Sequence, residues 1–173
     1  MSGEWEIAAC DRLGAVESLV ALHAEYYGRG WGFGPQFERQ VATEMAAFLR
    51  TLDPAREGLW VARRAGEVAG SIAIQSEDGA ARVRWFIVSP ALRGAGAGRA
   101  LLAAALDFCR EHGYGRVFLW TFAGLDAARR LYEQAGFRLA AETADDQWGV
   151  RVVHQRFELD LVRSPGSRAA GTR

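Results

Sequence analysis

The stretch VRWFIVSPALRGAGAGRALLAAALDFCREHG, running from Val83 to Gly113, decides how the chain is organised. It reads as a buried strand, a glycine-rich turn and an amphipathic helix. At its centre Arg93-Gly94-Ala95-Gly96-Ala97-Gly98 follows the pattern Arg or Gln, two free positions, Gly, one free position, then Gly or Ala. Glycine lets a backbone turn tightly and approach a ligand closely, because no Cβ intervenes. The helix that follows presents unpaired N–H groups and partial positive charge at its start. Together these features describe an anion site of the kind that takes a phosphate or pyrophosphate. No Asp or Glu occurs from Ala91 to Leu106, although acidic side chains normally favour a first helical turn, and Arg93 and Arg99 flank the glycines instead. The positive end is therefore left for an anion from outside.

Composition bounds the rest. A chain of 173 residues is expected to form one domain, residues 1–162, followed by a Gly/Ser-rich, flexible tail over 163–173. Half the residues are hydrophobic and 24% are charged, the ordinary balance of a globular protein. Twenty-one basic residues offset 21 acidic ones, so no global field draws in nucleic acid or an anionic membrane. Cys10 and Cys109 fit no metal or redox spacing, and with only three histidines a zinc site is not expected. The start, MSGEWEIAAC, does not read as a signal peptide, and no apolar run reaches the length of a membrane span. These features together lead us to expect a cytoplasmic protein.

In chain order, Glu4 to Cys10 reads as a first strand and Asp11 as the cap of a helix reaching about Tyr27, with Leu13, Val16, Leu19, Val20 and His23 inward. Four glycines and a proline between Gly28 and Pro35 are expected to break it. Trp31 and Phe33 in that segment either plug the core or line a pocket. A second helix follows from Pro35 to about Leu52, its inner stripe Phe37, Val41, Met45, Phe48 and Leu49. Gly58 to Ala62, Val68 to Ile74 and Arg82 to Val88 are expected to form an antiparallel meander, with tight turns at Ala65-Gly66 and Asp78-Gly79, the latter of type I′. After the glycine turn, Leu101, Leu102, Ala105, Leu106 and Cys109 form a helical stripe ending at Gly113. Arg116 to Thr121 reads as a central strand buried on both faces, parallel to the one before the turn. A short helix from Asp126 to Ala135, a strand from Phe137 to Glu142, a polar loop from Thr143 to Gly149 and a last strand from Val152 to Leu161 complete the order. The fold class is α+β, with a mixed sheet of six to seven strands and about four helices.

Three segments in this order resemble the GCN5-related N-acetyltransferase superfamily. They are Phe86-Ile-Val-Ser-Pro90 with Arg93 to Gly98, the apolar strand ending at Trp120-Thr121, and Ala128-Arg-Arg-Leu-Tyr-Glu-Gln-Ala-Gly-Phe137. The resemblance runs from about Trp5 to Leu161 and extends to the acetyltransferase part of bacterial fusions with a MarR-type regulator.

The resemblance implies acetyl-CoA as cosubstrate, no metal, and an amine acceptor, with a homodimer left open as an assembly. It implies that the backbone from Arg93 through Gly94, Ala95, Gly96, Ala97 and Gly98, with Arg99, holds a pyrophosphate. Phe86, Ile87 and Val88 would pair with pantetheine amides as an added strand. The thioester would lie where two strands splay, between Ile87 and Trp120, with an N–H near Ile87 donating to its oxygen. Tyr132 would protonate the departing thiolate, a role that suits a phenol protonated at neutral pH. Glu25 is the candidate general base, and Trp31, Phe33, Trp85, Trp120 and Trp148 the candidate aromatic wall for the acceptor. Leu125 stands where the family commonly has Asn. Direct transfer would leave neither cysteine a nucleophilic role.

Other readings of the glycines fit less well. Gly94-Ala-Gly-Ala-Gly98 resembles the loop of S-adenosylmethionine methyltransferases, but it follows three antiparallel strands and the next strand ends in Trp120-Thr121 rather than an acid. A P-loop lacks its Gly-Lys-Ser/Thr, and a Rossmann fingerprint lacks a third glycine at the right step, where Arg99 follows Gly98. An acyl-CoA sensor without turnover is the remaining alternative of another class.

Overall fold

The computed structural model describes residues 4–10, 13–146 and 148–161. The Asp11 cap and the 163–173 tail lie outside the described residues. The elements run β1 (Trp5–Ala9), α1 (Ala15–Trp31), α2 (Pro35–Thr51), β2 (Gly58–Arg64), β3 (Glu67–Glu77), β4 (Ala80–Val88), α3 (Ala97–Glu111), β5 (Arg116–Phe122), α4 (Asp126–Gln134), β6 (Arg138–Asp145) and β7 (Val152–Asp160). One seven-stranded sheet has the order β1-β2-β3-β4-β5-β7-β6. Every neighbouring pair is antiparallel except β4 and β5. This is the mixed α/β sheet with four α-helices that the pattern of elements called for.

Local chemistry accounts for most of the elements. Ala65 and Gly66 have φ of 51° and 82°, and Asp78 and Gly79 have φ of 49° and 81°. Both hairpins therefore use two successive positive φ angles, the type I′ turn that matches strand twist. In α2 the whole expected stripe, Phe37, Val41, Met45, Phe48 and Leu49, is buried, and Pro35 opens the helix. In α3 Leu101, Leu102, Ala105, Leu106 and Cys109 are buried as their spacing requires.

The two faces of the sheet carry separate cores. Against α3 and α4 lie Ile72, Ile74, Val83, Leu101, Leu119, Tyr132 and Phe157. Against α1 and α2 lie Leu19, Phe33, Phe37, Met45, Leu59, Val61, Ala73 and Val152. Alternation along β7 sends Phe157 to the first core and Val152 to the second.

Four expectations need correction. First, α1 does not stop near Tyr27 but runs through Gly28 and Gly30 to Trp31, and Gly32 ends it with φ of 70°. Two helical glycines cost about 1 kcal/mol each relative to Ala, and the aromatic packing of Trp31 and Phe33 offsets that cost. Second, Leu13 precedes the helix and is 51% exposed rather than inward. Third, β6 continues through Thr143 to Asp145, into the segment expected to be loop, because β7 supplies a ladder partner as far as Val152. Fourth, β5 is not buried on both faces throughout, since Trp120 is 40% exposed.

Candidate active site

The parallel pair makes the site. Pairing between β4 and β5 runs Ala81–Val117, Arg82–Phe118 and Val83–Leu119 and then ends, although β4 continues to Val88 and β5 to Phe122. The edges beyond that point face each other without a ladder, so their backbone polar groups need another partner.

The cause lies in β4. Going from Ser71 to Ala73 on β3 takes two steps, while the partners Ile87 to Arg84 on β4 take three. The extra residue is a β-bulge. Trp85 adopts φ of 47°, uncommon for a bulky side chain, and its carbonyl accepts a 2.6 Å hydrogen bond from Ser71 Oγ. As a result Arg84 and Trp85 both turn toward α2, where Arg84 pairs with Glu44 and Trp85 packs on Phe48 at 5.3 Å. Phe86 returns to the opposite face and packs on Tyr132 at 5.8 Å. A cleft of about 1370 Å³ passes through the sheet at this place. Gly94, Gly96, Gly98 and Tyr132 line it on the α3/α4 side, and Tyr27, Glu44, Trp148 and His154 on the α1/α2 side.

At one end stands the turn before α3. Gly94 and Gly96 have φ of 73° and 82°, where a side chain would be strained. Gly96 caps α3 with no side-chain hydrogen bond, and no acid occupies the first turn. A Cβ on Gly98 would sit 3.1 Å from Leu131 Cδ1 and 3.4 Å from Val88 Cγ2, so a larger residue would narrow the passage. Arg93 N–H and Ala95 N–H donate to Pro90 O and Leu92 O, each at 3.2 Å. Those two amides are therefore committed within the turn, and Ala95 does not line the cleft. The N–H groups open to an anion are those of Gly94, Gly96, Ala97, Gly98 and Arg99. Arg93 and Arg99 line the cleft and make no ion pair among the described residues.

Tyr132 lines the cleft from α4, 4% exposed, with Phe86, Phe137 and Phe157 around its ring. Its hydroxyl makes no hydrogen bond among the described residues. Burial pushes its pKa well above the ordinary phenol value, and the nearby Tyr27 phenol adds to the shift. A phenol so held stays protonated at neutral pH. Leu125 stands at the N-cap of α4 and lines the cleft, its side chain offering no cap hydrogen bond.

The other end is aromatic and holds a relay of polar side chains. Trp148 Nε1 donates to Gln40 Oε1 at 2.9 Å, and Gln40 Nε2 donates to Glu44 Oε1 at 3.0 Å. Arg84 donates to the other oxygen of Glu44 and, at 3.0 Å, to Gln75 Oε1. His23 Nδ1 donates to Leu19 O at 2.8 Å, and burial lowers its pKa to about 4, so the ring is neutral. His154 lies between Phe122 and Trp148, with Nε2 3.0 Å from Asp145 Oδ1. That distance is an ion pair's, but the angle is not a hydrogen bond's, and Nε2 is otherwise enclosed without a partner.

The structure brings Trp85, Phe86, Ile87, Val88, Arg93, Gly94, Gly96, Ala97, Gly98, Arg99, Trp120, Tyr132 and Trp148 to one cleft. It leaves out Ala95, Glu25, Trp31 and Phe33. Glu25 sits on the outer face of α1, exposed, and because the helix continues past Tyr27 it pairs with Arg29 at 3.0 Å. Phe33, 6% exposed, is a core plug among Tyr27, Phe37, Phe122 and Trp148. Trp31 packs on Phe122 and against Gly124. Reading the sequence missed Glu44, Gln40, Arg84, His23, Tyr27, Asp145 and His154. Gln40 and Glu44 carried a weak signal, being four apart on a helix beside its apolar stripe. Among the described residues no group of three or more His, Cys, Asp or Glu is placed to hold a metal ion.

The chain belongs to the Acetyltransferase (GNAT) family, whose sequence pattern matches residues 16–137. It is 32% identical over 173 residues to N-acetyltransferase 8 of Rattus norvegicus, covering 95% of this chain and 75% of that one. It is also 36% identical over 96 residues to N-acetylaspartate synthetase of Danio rerio, covering 54% of this chain and 34% of the relative. The chain thus spans about a third of that relative's length. Among solved structures, the yncA protein of Salmonella typhimurium, solved with acetyl-CoA as its cofactor, matches with a TM-score of 0.73 at 19% identity over 96% of this chain and 99% of the other. The Ribosomal-protein-alanine N-acetyltransferase of Brucella melitensis matches with a TM-score of 0.73 at 17% identity, covering 90% and 99%.

Proposed function

We propose that this chain transfers an acetyl group from acetyl-CoA to a primary amine by direct attack. The observation that carries this reading is the cleft through the sheet. An anion cradle stands at one end, a buried protonated phenol in the middle and an aromatic chamber at the other. The open amides of the α3 turn, with Arg93 and Arg99, suit a pyrophosphate. The inner edge of β4 from Phe86 to Val88, left without a β5 partner, suits an extended amide chain added as a strand. Tyr132 is the donor to the leaving thiolate. Trp85, Trp120 and Trp148 wall the acceptor chamber, favouring an amine with an apolar body.

The test is thermal unfolding with acetyl-CoA, coenzyme A and S-adenosylmethionine in parallel. Acetyl-CoA at a hundred times its dissociation constant should stabilise the fold by about 2.7 kcal/mol, a rise of several degrees. A shift with S-adenosylmethionine alone would overturn the reading. Release of free coenzyme A on addition of primary amines then separates an enzyme from a sensor that binds without turnover.

A further inference from the structure

We propose that His154, oriented by Asp145, is the group that takes the proton from the acceptor ammonium. This rests on the transferase reading above. The pair is built by the sheet. His154 is opposite Phe122 in the β5–β7 ladder and opposite Thr143 in the β6–β7 ladder, so it stands at the C-terminal end of β5, past the point where β4 and β5 part. Its side chain is 14% exposed, lines the cleft on the α1/α2 side, and sits 5.1 Å from the Phe122 ring and 5.5 Å from the Trp148 ring. That is the chamber left for the acceptor once the anion cradle and Tyr132 are assigned to the cosubstrate.

The ring has two distinct ends. Nε2 is enclosed, with Asp145 Oδ1 at 3.0 Å. The negative charge of a carboxylate at that distance, though not aligned as a hydrogen bond, favours a proton on Nε2 and leaves Nδ1 as the acceptor. It also stabilises the imidazolium formed on proton transfer.

The other groups facing the chamber are less suited. Glu44 on α2 already accepts from Gln40 and Arg84, one at each oxygen. His23 on α1 is a weak base because burial lowers its pKa to about 4. Tyr27 on α1 is held protonated by burial, and Tyr26 beside it is likewise a phenol. Arg82 and Arg84 on β4 are cations paired with Glu77 and Glu44. His154, lining the cleft, alone of these groups has one ring nitrogen with no hydrogen bond among the described residues and a second beside a carboxylate.

The protons balance. The ammonium gives one proton to His154 Nδ1, and the amine lone pair forms the N–C bond as the C–S bond breaks. The thiolate takes a proton from Tyr132, which recovers it from the second nitrogen-bound proton as the amide forms. The proton on His154 passes to solvent.

The test compares wild type with His154→Gln, His154→Ala and Asp145→Asn. Coenzyme A release is followed against pH with acetyl-CoA and a panel of primary amines bearing phenyl or alkyl groups, and acetyl-CoA affinity is measured by calorimetry. The expected result for His154→Gln at neutral pH is a 10²- to 10⁴-fold loss of kcat/KM, with acetyl-CoA affinity within about twofold. The acid-side break in the pH profile should disappear, and added imidazole should restore part of the His154→Ala activity. Asp145→Asn should lower kcat and move that break. Retention of rate and break in His154→Gln, with the wild type active, would overturn the dyad and leave the transferase reading standing. If the wild type binds acetyl-CoA yet acetylates no amine of the panel, the transferase reading falls and the dyad with it.

Discussion

Ser71 Oγ on β3 donates a 2.6 Å hydrogen bond to the carbonyl of Trp85 on β4, and through it the bulge that opens the sheet is held in place. Ser71 is fully buried, in a central strand among apolar neighbours. Its hydroxyl satisfies a carbonyl that the bulge has taken out of the ladder. Ser71→Ala should cost about 1–3 kcal/mol in chemical denaturation, because a buried acceptor loses its partner. It should also raise the acceptor KM more than it weakens acetyl-CoA binding, since Trp85 and Arg84 line the part of the cleft proposed for the acceptor. Equal effects on both would count against this division of the bulge.

Gly96→Ala tests the anion cradle. At φ of 82° an L side chain costs about 1–2 kcal/mol, although nothing lies within 4 Å of the added Cβ. The turn should relax away from that geometry, and acetyl-CoA affinity by calorimetry should fall about tenfold or more. Full retention of affinity would mean that the α3 turn is not the phosphate site.

Tyr132→Phe keeps the ring contacts with Phe86, Phe137 and Phe157 and removes only the hydroxyl. Melting temperature and acetyl-CoA affinity should change little, while kcat for thiol release should fall by about 10²-fold or more. An unchanged kcat across a panel of amines would remove Tyr132 from the chemistry.

Phe33→Ala and Glu25→Gln separate core from surface. Phe33 fills the space between α1, α2, β5 and the loop carrying Trp148, so its truncation should cost about 3–5 kcal/mol in denaturation. Glu25→Gln removes one exposed helical ion pair, worth about 0.3–0.5 kcal/mol, and should leave turnover unaltered.

The buried His23 makes stability depend on pH. Its folded pKa of about 4 lies below the ordinary 6.5, so between these values the unfolded chain binds a proton that the folded chain refuses. Stability should therefore be lost as pH falls from 6.5 toward 4, by roughly 3 kcal/mol in total from this residue. In denaturation at a series of pH values, His23→Gln should flatten that slope. An unaltered slope would show that the ring is not held neutral.

Local patterns made much of this protein readable. The α2 and α3 stripes, the two type I′ hairpins and the glycine turn depend on period, φ sign and missing side chains, all of which are written residue by residue. The elements that were misread depended on distant partners. The α1 helix carries past its glycines because Trp31 and Phe33 find Phe122, and β6 lengthens because β7 lies beside it. Propensity gives way where tertiary packing offers more.

The site divides in the same manner. Sequence alone determined the turn proposed to hold the anion, because glycines at 94, 96 and 98 and the lack of acids around them are local facts about one turn. The proposed acceptor half was decided only by tertiary structure. Glu44, Arg84, Trp148, Asp145 and His154 come from α2, β4, the loop before β7, β6 and β7. The bulge at Trp85 turns Arg84 toward Glu44 on α2, and the pairing of β7 with β5 and β6 brings Asp145 and His154 to the same cleft. No spacing in the chain records such a convergence, since side chains from separate elements become neighbours only when those elements pack.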